Sequence, residues 1–170
     1  MDITQLILDD HHEQRRLFAI LEEIPRQDTD KLTAVWNRLR ALLDLHAEAE
    51  ERHFYPTLVQ IGKGGGGSSP DEETEDAIDD HNEIRDAAGK VEQQEVGSDA
   101  WYEAVAACNK ANGDHMAEEE REGLTDFRQH IPLEIRHDLG VRFAAFEAEH
   151  VTGVEPVDKD PQTYIDEQKR

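Results

Sequence analysis

The chain has a single cysteine, few aromatic residues and far fewer basic than acidic residues. Cys108 stands alone among 170 residues, so no disulfide can form within the chain and no cysteine-based zinc or iron–sulfur site is available. Aromatic residues make up 6% of the sequence, and long runs of β-branched residues are absent, which disfavours strands. The composition therefore predicts an all-α protein whose polar helices each carry a narrow apolar stripe.

The shortage of basic residues leaves a formal net charge of −22. Such a surface repels the phosphates of nucleic acids and anionic lipid head groups, so we expect neither nucleic acid nor a membrane as a partner. No stretch approaches the length of a membrane span, and the N-terminus lacks the basic and apolar regions of a signal peptide. We therefore expect a cytoplasmic protein. The oligomeric state stays open, and a monomer is compatible with the sequence.

Apolar residues recur at three- and four-residue steps in four successive segments, which is typical of amphipathic helices. The first segment ends at Pro25, the second runs over about 31–61, the third over about 72–94, and the fourth begins near Ser98. The pattern predicts an up-down four-helix bundle over residues 1–152, with a flexible glycine-rich loop at 62–70 and an additional short C-terminal helix after Pro132. Residues 153–170 are expected to form a polar tail, loosely held unless Tyr164 and Ile165 dock it.

Six ionisable side chains interrupt these apolar stripes. Burying an unpaired charge costs several kcal/mol or more, so six such groups in one core need a shared partner, and a metal ion is the obvious one. The alternative is a set of core histidines that carboxylates and backbone carbonyls satisfy. The six candidate ligands are His11, His46, Glu50, His81, His115 and Glu119.

An internal repeat favours the metal hypothesis. Asp10-His11 matches Asp80-His81, and the HxxxEER segment that begins at His46 matches the one that begins at His115. Successive key histidines are 35, 35 and 34 residues apart, about one long helix with its turn, so they return to a similar height in an up-down bundle. Within each HxxxE pair, the histidine and the glutamate share a helix face. A third pair, His130 and Glu134, is interrupted by Pro132 and has no repeat partner, so we treat it as accidental.

On these motifs, over roughly residues 6–122, the sequence resembles the hemerythrin-like (hemerythrin HHE cation-binding) family. The resemblance implies a four-helix bundle around two iron ions with an oxo or hydroxo bridge. Glu50 and Glu119 would be bridging carboxylates, and His11, His46, His81 and His115 would be terminal ligands. Ferritin-like diiron proteins are less similar, because they place histidine three residues after glutamate.

One departure from the oxygen-carrying hemerythrins bears on activity. Those proteins use an HxxxH pair, whereas here Arg85 stands four residues after His81. Six ligands leave coordination positions that stay open or are taken by water, Tyr55, His53 or Glu51. Tyr55 could also be a proton donor, whereas His12 lies off the ligand face and is expected to be exposed.

Open positions on such a centre suit small molecules. The leading hypothesis is a diiron enzyme that decomposes hydrogen peroxide in a catalase-like reaction, with the six ligands as its catalytic site and a role in oxidative or nitrosative stress. A binding module for the storage or sensing of O2 or NO, or for iron storage, is the second hypothesis. The third is a structural bundle that holds zinc or no metal.

Overall fold

The computed structural model describes all 170 residues, which form eight helices and no strand. The four long helices are separated by short turns or by the glycine-rich loop, and four shorter or peripheral helices follow the second and fourth of them. The helices are α1 (Ile3–Glu23), α2 (Thr29–His53), α3 (Tyr55–Ile61), α4 (Pro70–Glu92), α5 (Asp99–Arg121), α6 (Gly123–His130), α7 (Leu133–Glu149) and α8 (Pro161–Gln168). None of them has the length and apolar character needed to cross a lipid bilayer.

The four long helices α1, α2, α4 and α5 form the predicted bundle. They pack in a closed cycle, α1 on α2, α2 on α4, α4 on α5 and α5 on α1. Side-chain caps define the first turns of α1 and α4: Asp2 accepts from the N–H of Thr4, and Ser69 forms a reciprocal capping box with Glu72. The all-α four-helix bundle predicted from the apolar periodicity is therefore confirmed.

The second predicted helix is two helices, so its prediction as one continuous helix over 31–61 is wrong. α2 ends at His53, Phe54 adopts φ −106° and ψ −64°, and α3 begins at Tyr55. Pro56 explains the break, because it has no N–H to donate to the preceding turn and its ring crowds that turn. A second break, which has no proline beside it, separates α5 from α6 at Glu122, where φ is −108° and ψ is −79°.

The glycine-rich segment between α3 and α4 is anchored to the bundle. The backbone N–H groups of Lys63 and Gly64 donate to the carboxylate of Asp126 at 2.8–3.0 Å, and that of Gly65 donates to Glu73 at 2.9 Å. Gly64 has φ +92°, a backbone conformation that favours glycine. The loop that was predicted as a flexible connector thus makes specific contacts with α4 and α6.

The C-terminal residues also dock on the bundle. α7 packs against α1 and α2, and α8 packs against α3 and α4. Tyr164 and Ile165, the two residues that could hold the tail, are buried at 6% and 2% exposure. Asp160 caps α8 by accepting from the N–H of Thr163. The structure therefore has a further helix where the sequence predicted a polar tail.

Two apolar clusters fill the bundle, one on each side of a polar layer. One cluster includes Leu17, Trp36 and Trp101, and the other includes Ile3, Phe54 and Phe143. On α1 and α4 the key histidine separates the residues of one cluster from those of the other, and on α2 and α5 nearly all the cluster residues before the histidine belong to the cluster of Trp36 and Trp101. The four histidines consequently lie in a layer between two apolar cores.

Candidate metal centre

The polar layer brings together all six candidate ligands, each at most 5% exposed. Their donor atoms form two groups, which share Glu50. The four-donor group consists of His11, His46, Glu50 and Glu119, and the three-donor group of Glu50, His81 and His115. Within each group the donor atoms lie within 4.8 Å of one another. The four helices thus place imidazoles and carboxylates around two adjacent points.

The donor atoms face each other closely. His11 Nε2 lies 3.2 Å from Glu119 Oε2, and His46 Nε2 lies 3.0 Å from Glu50 Oε1. The other oxygen of Glu50 lies 3.3 Å from His81 Nε2. Each of these imidazoles therefore presents its Nε2 to the centre of the layer.

Several of these atoms have no hydrogen-bond partner, although they are fully buried. They are His11 Nε2, His46 Nε2, both carboxylate oxygens of Glu50 and Glu119 Oε2. Buried polar atoms in proteins are nearly always satisfied, and a mixed imidazole and carboxylate set is one that iron, manganese and zinc accept. The donor set therefore fits metal ions, and it does not fit core histidines that carboxylates and backbone carbonyls satisfy.

The opposite nitrogen of each imidazole faces a second carboxylate. Three of these carboxylates accept a hydrogen bond from Nδ1, and the fourth lies 3.3 Å from it. The pairs are Glu120 with His11 (2.9 Å), Asp10 with His46 (3.0 Å), Glu51 with His81 (2.8 Å) and Asp80 with His115 (3.3 Å). Such outer carboxylates fix the tautomer and the orientation of a ligating histidine and raise its basicity.

These outer carboxylates follow a cyclic order around the bundle. α1 holds the histidine of α2 through Asp10, and α2 holds the histidine of α4 through Glu51. α4 holds the histidine of α5 through Asp80, and α5 holds the histidine of α1 through Glu120. Each is therefore supplied by the preceding long helix of the cycle. This arrangement explains why the repeat contains an aspartate before one histidine and a second glutamate after the other.

The carboxylates also set the protonation of the metal-free layer. Burial acts to lower the pKa of His81, but the adjacent carboxylates of Glu50 and Glu51 outweigh it and raise the pKa to about 9. Burial acts to raise the pKa of Glu51, but His81, Arg85 and Lys159 outweigh it and lower the pKa to about 2. Without a metal the layer therefore holds protons, which a binding metal ion displaces.

Two arginines extend the repeat, and sequence reasoning missed their role. Arg15 and Arg85 each stand four residues after a key histidine, and each donates at 2.8 Å to the outer carboxylate of that same histidine, Glu120 or Glu51. The position that carries a second histidine in oxygen-carrying hemerythrins is thus occupied by an arginine that contacts an outer carboxylate. Internal alignment of the two halves contains this signal, because DHxxxR occurs in both.

The other side chains considered as ligands lie in different places. The Tyr55 hydroxyl donates to Glu119 Oε1 at 2.6 Å, so it is the additional group that adjoins the donors. Glu51 faces His81 Nδ1, on the outer side of that imidazole. His53 packs edge-on against the ring of Phe146, with centroids 5.7 Å apart, and lies outside both donor groups. His12 is exposed.

A small cavity of about 20 Å³ adjoins the donors on one side. Its inner wall includes Tyr55, His115 and Glu119, and its other polar walls are acidic: Glu73, Asp76, Asp80, Glu118 and Glu122. The volume corresponds to about one water molecule. On the opposite flank α7 covers the layer, and the ring of Phe143 lies 6.4 Å from that of His46. On the side of this cavity, access to the layer is therefore narrow and lined by carboxylates.

Comparison with known proteins adds one finding. The family model described as hemerythrin HHE cation binding domain matches residues 2–134, which include all six donors and all four outer carboxylates. No curated protein and no solved structure gives a significant match to the chain.

Proposed function

This chain belongs to the hemerythrin HHE cation-binding family, and we propose that it binds a pair of iron ions and decomposes hydrogen peroxide. The observation that carries the proposal is the set of buried, unpartnered nitrogen and oxygen atoms in the polar layer. His11, His46, His81 and His115 would hold the ions together with Glu50, which is shared by the two donor groups, and Glu119, which belongs to one of them. When bound, such an iron pair can accept two electrons from one peroxide, which is oxidised to O2, and pass them to a second peroxide, which is reduced to water.

The cavity favours a small, neutral substrate. A volume near that of one water molecule suits molecules as small as hydrogen peroxide, O2 or NO. Its acidic lining repels anions by the local negative potential. Hydrogen peroxide is uncharged at neutral pH, so both the size and the charge of the passage suit it.

The reaction needs protons that move in both directions. Oxidation of one peroxide to O2 releases two protons and two electrons, and reduction of a second peroxide to two waters consumes them. Tyr55 holds a proton on its hydroxyl, which it donates to Glu119 in a hydrogen bond beside the donors. Burial raises the pKa of Glu73 on the cavity wall to about 7, so this carboxyl can release and take up a proton near neutral pH.

Iron content and peroxide turnover, measured on the same samples, test this proposal. The iron-loaded protein is expected to release one O2 for every two peroxides consumed. His46→Ala and Glu50→Ala are expected to lose iron and turnover together, whereas His12→Ala, an exposed histidine beside a ligand, is expected to keep both. Variants without iron that retained full turnover would overturn the proposal. A reversible O2 or NO spectrum without O2 release would favour a binding module instead.

Tyr55→Phe sharpens the same experiment, because it keeps the ring and removes the proton. We expect this variant to retain iron and to lose about a hundredfold in turnover, within the range for loss of a positioned proton donor. Unchanged turnover would remove Tyr55 from the proposed proton path.

A further inference from the structure

The C-terminal segment is joined to the metal layer by specific polar contacts. Asn82, the residue after His81, clamps the backbone of Lys159: its side-chain amide donates to the Lys159 carbonyl at 2.8 Å and accepts from the Lys159 N–H at 3.2 Å. The Tyr164 hydroxyl donates to the backbone carbonyl of Glu51. Both contacts bring α8 and its preceding turn to residues that neighbour donors.

The clamp directs the Lys159 ammonium group to the outer carboxylate of His81. It contacts Glu51 Oε2 and, at 2.9 Å, Glu48 Oε2. The other oxygen of Glu51 already accepts from His81 Nδ1 and from Arg85, both at 2.8 Å. Lys159 is thus the only hydrogen-bond donor to Oε2 of a side chain that is 0% exposed.

No other outer carboxylate has this environment. Glu120 has Arg15 as its cationic partner and is 32% exposed, Asp80 is also 32% exposed and Asp10 is 19% exposed, so water can reach all three. Without Lys159, one oxygen of Glu51 would be buried without a partner, which is unfavourable for a carboxylate. The carboxylate would then rotate towards another donor, and His81 would lose its fixed acceptor.

We propose that Lys159 is a positioning residue of the metal centre, which holds Glu51 and through it the imidazole of His81. The inference rests on the proposed metal site, and it reaches beyond the family match, which ends at residue 134. The C-terminal segment of this chain is then part of the metal-binding unit, and it fixes the orientation of one histidine of the three-donor group. In the four-donor group, no lysine or arginine of the C-terminal segment contacts an outer carboxylate; Asp10 instead faces Glu147 of α7.

The reduction potential of the iron-loaded protein tests this role. Lys159→Ala removes a positive charge near the site that would hold the ions, and this change favours the oxidised metal pair. We expect the potential to fall in Lys159→Ala and to return towards the wild-type value in Lys159→Arg. Lys169→Ala, which breaks a surface contact of the same segment with Asp71, is the matched control and should leave the potential unchanged.

A second measurement decides the inference without iron. In the metal-free protein, the Nδ1–H of His81 should lose its protection from exchange with water in Lys159→Ala, as observed by NMR, while that of His11 keeps it. Tyr164→Phe, a milder change, should lower the protection of the same His81 proton to a smaller extent. Equal potentials and equal exchange in Lys159→Ala and Lys169→Ala would overturn the inference. A wild-type protein that bound no iron would overturn the proposed function, and the exchange of His81 would still decide this one.

Discussion

The two halves of the bundle supply matching donors but give them different surroundings. α1 and α2 carry DH and HxxxEE, and α4 and α5 carry the same motifs. We call Glu50 and Glu119, the glutamates of the two HxxxE pairs, the inner glutamates. Five residues after its inner glutamate, however, the first half has Tyr55 and the second has Leu124. Both side chains are buried at 1% exposure, yet only the tyrosine contacts a donor, Glu119. The repeat therefore fixes the positions of the six donors, and residues outside it give the two donor groups different surroundings.

The inner glutamates show the same inequality. Glu50 has an unpartnered oxygen towards each donor group, whereas Glu119 has one oxygen towards His11 and the other engaged by Tyr55. Glu50 accordingly belongs to both donor groups and Glu119 to one. A pair of residues that are equivalent in the sequence is not equivalent in the site.

The largest expected effect is a difference in metal loss between variants of the two inner glutamates. Glu50→Ala removes a donor from both groups, so we expect both ions to be lost and the affinity to fall by more than about a hundredfold, beyond the usual effect of an outer partner. Glu119→Ala should retain an ion in the three-donor group. Metal content after dialysis against a weak chelator measures the difference. Equal losses in the two variants would show that the inner glutamates act alike.

A smaller effect is expected at the outer carboxylates. Glu51→Gln and Glu120→Gln each remove the charged acceptor of one histidine, and loss of such a partner typically lowers metal affinity about 10- to 100-fold. Glu51→Gln should lie at the upper end, because it leaves Arg85 and Lys159 without a buried counter-charge, whereas water reaches Glu120. Competition titrations with a coloured chelator give both affinities. An effect at Glu120 equal to that at Glu51 would contradict the asymmetry.

The smallest expected effect is a difference in the free energy of unfolding between variants of Arg85 and Arg15. Arg85→Gln should lower the free energy of unfolding of the metal-free protein by about 1.5 kcal/mol, the lower end for a hydrogen bond to a charged group, since Lys159 still neutralises Glu51. Arg15 is 40% exposed, so Arg15→Gln should cost at most about 1 kcal/mol. Urea unfolding of both variants measures the two losses. A larger loss in Arg15→Gln would reverse the comparison of the two halves.

The fold and the six donors could be predicted because both are periodic. Apolar residues at helical spacing gave the four long helices, and near-equal intervals between His11, His46, His81 and His115 placed the imidazoles in one layer. The breaks at Phe54 and Glu122 were missed because the apolar stripe continues across them. Pro56 was the local signal for the first break.

The outer carboxylates were missed for the opposite reason. With 40 acidic residues in the chain, an Asp or Glu at any one position carries little information, and only comparison of the two halves singles out Asp10, Asp80, Glu51 and Glu120. Lys159 lies 108 residues from Glu51 in the sequence, outside the repeat. Contacts of this kind follow from tertiary packing, which local spacing does not encode.

The cyclic order of the outer carboxylates couples the rotation of every long helix to that of its neighbour. If one helix turns about its own axis, it displaces its own imidazole and withdraws the carboxylate that holds the next one. Rotation of one long helix alone would therefore disturb contacts on two helices at the height of the polar layer. Incoming ions would meet ligands that are already aligned, so that loading requires the exchange of protons for metal and little rearrangement of the backbone.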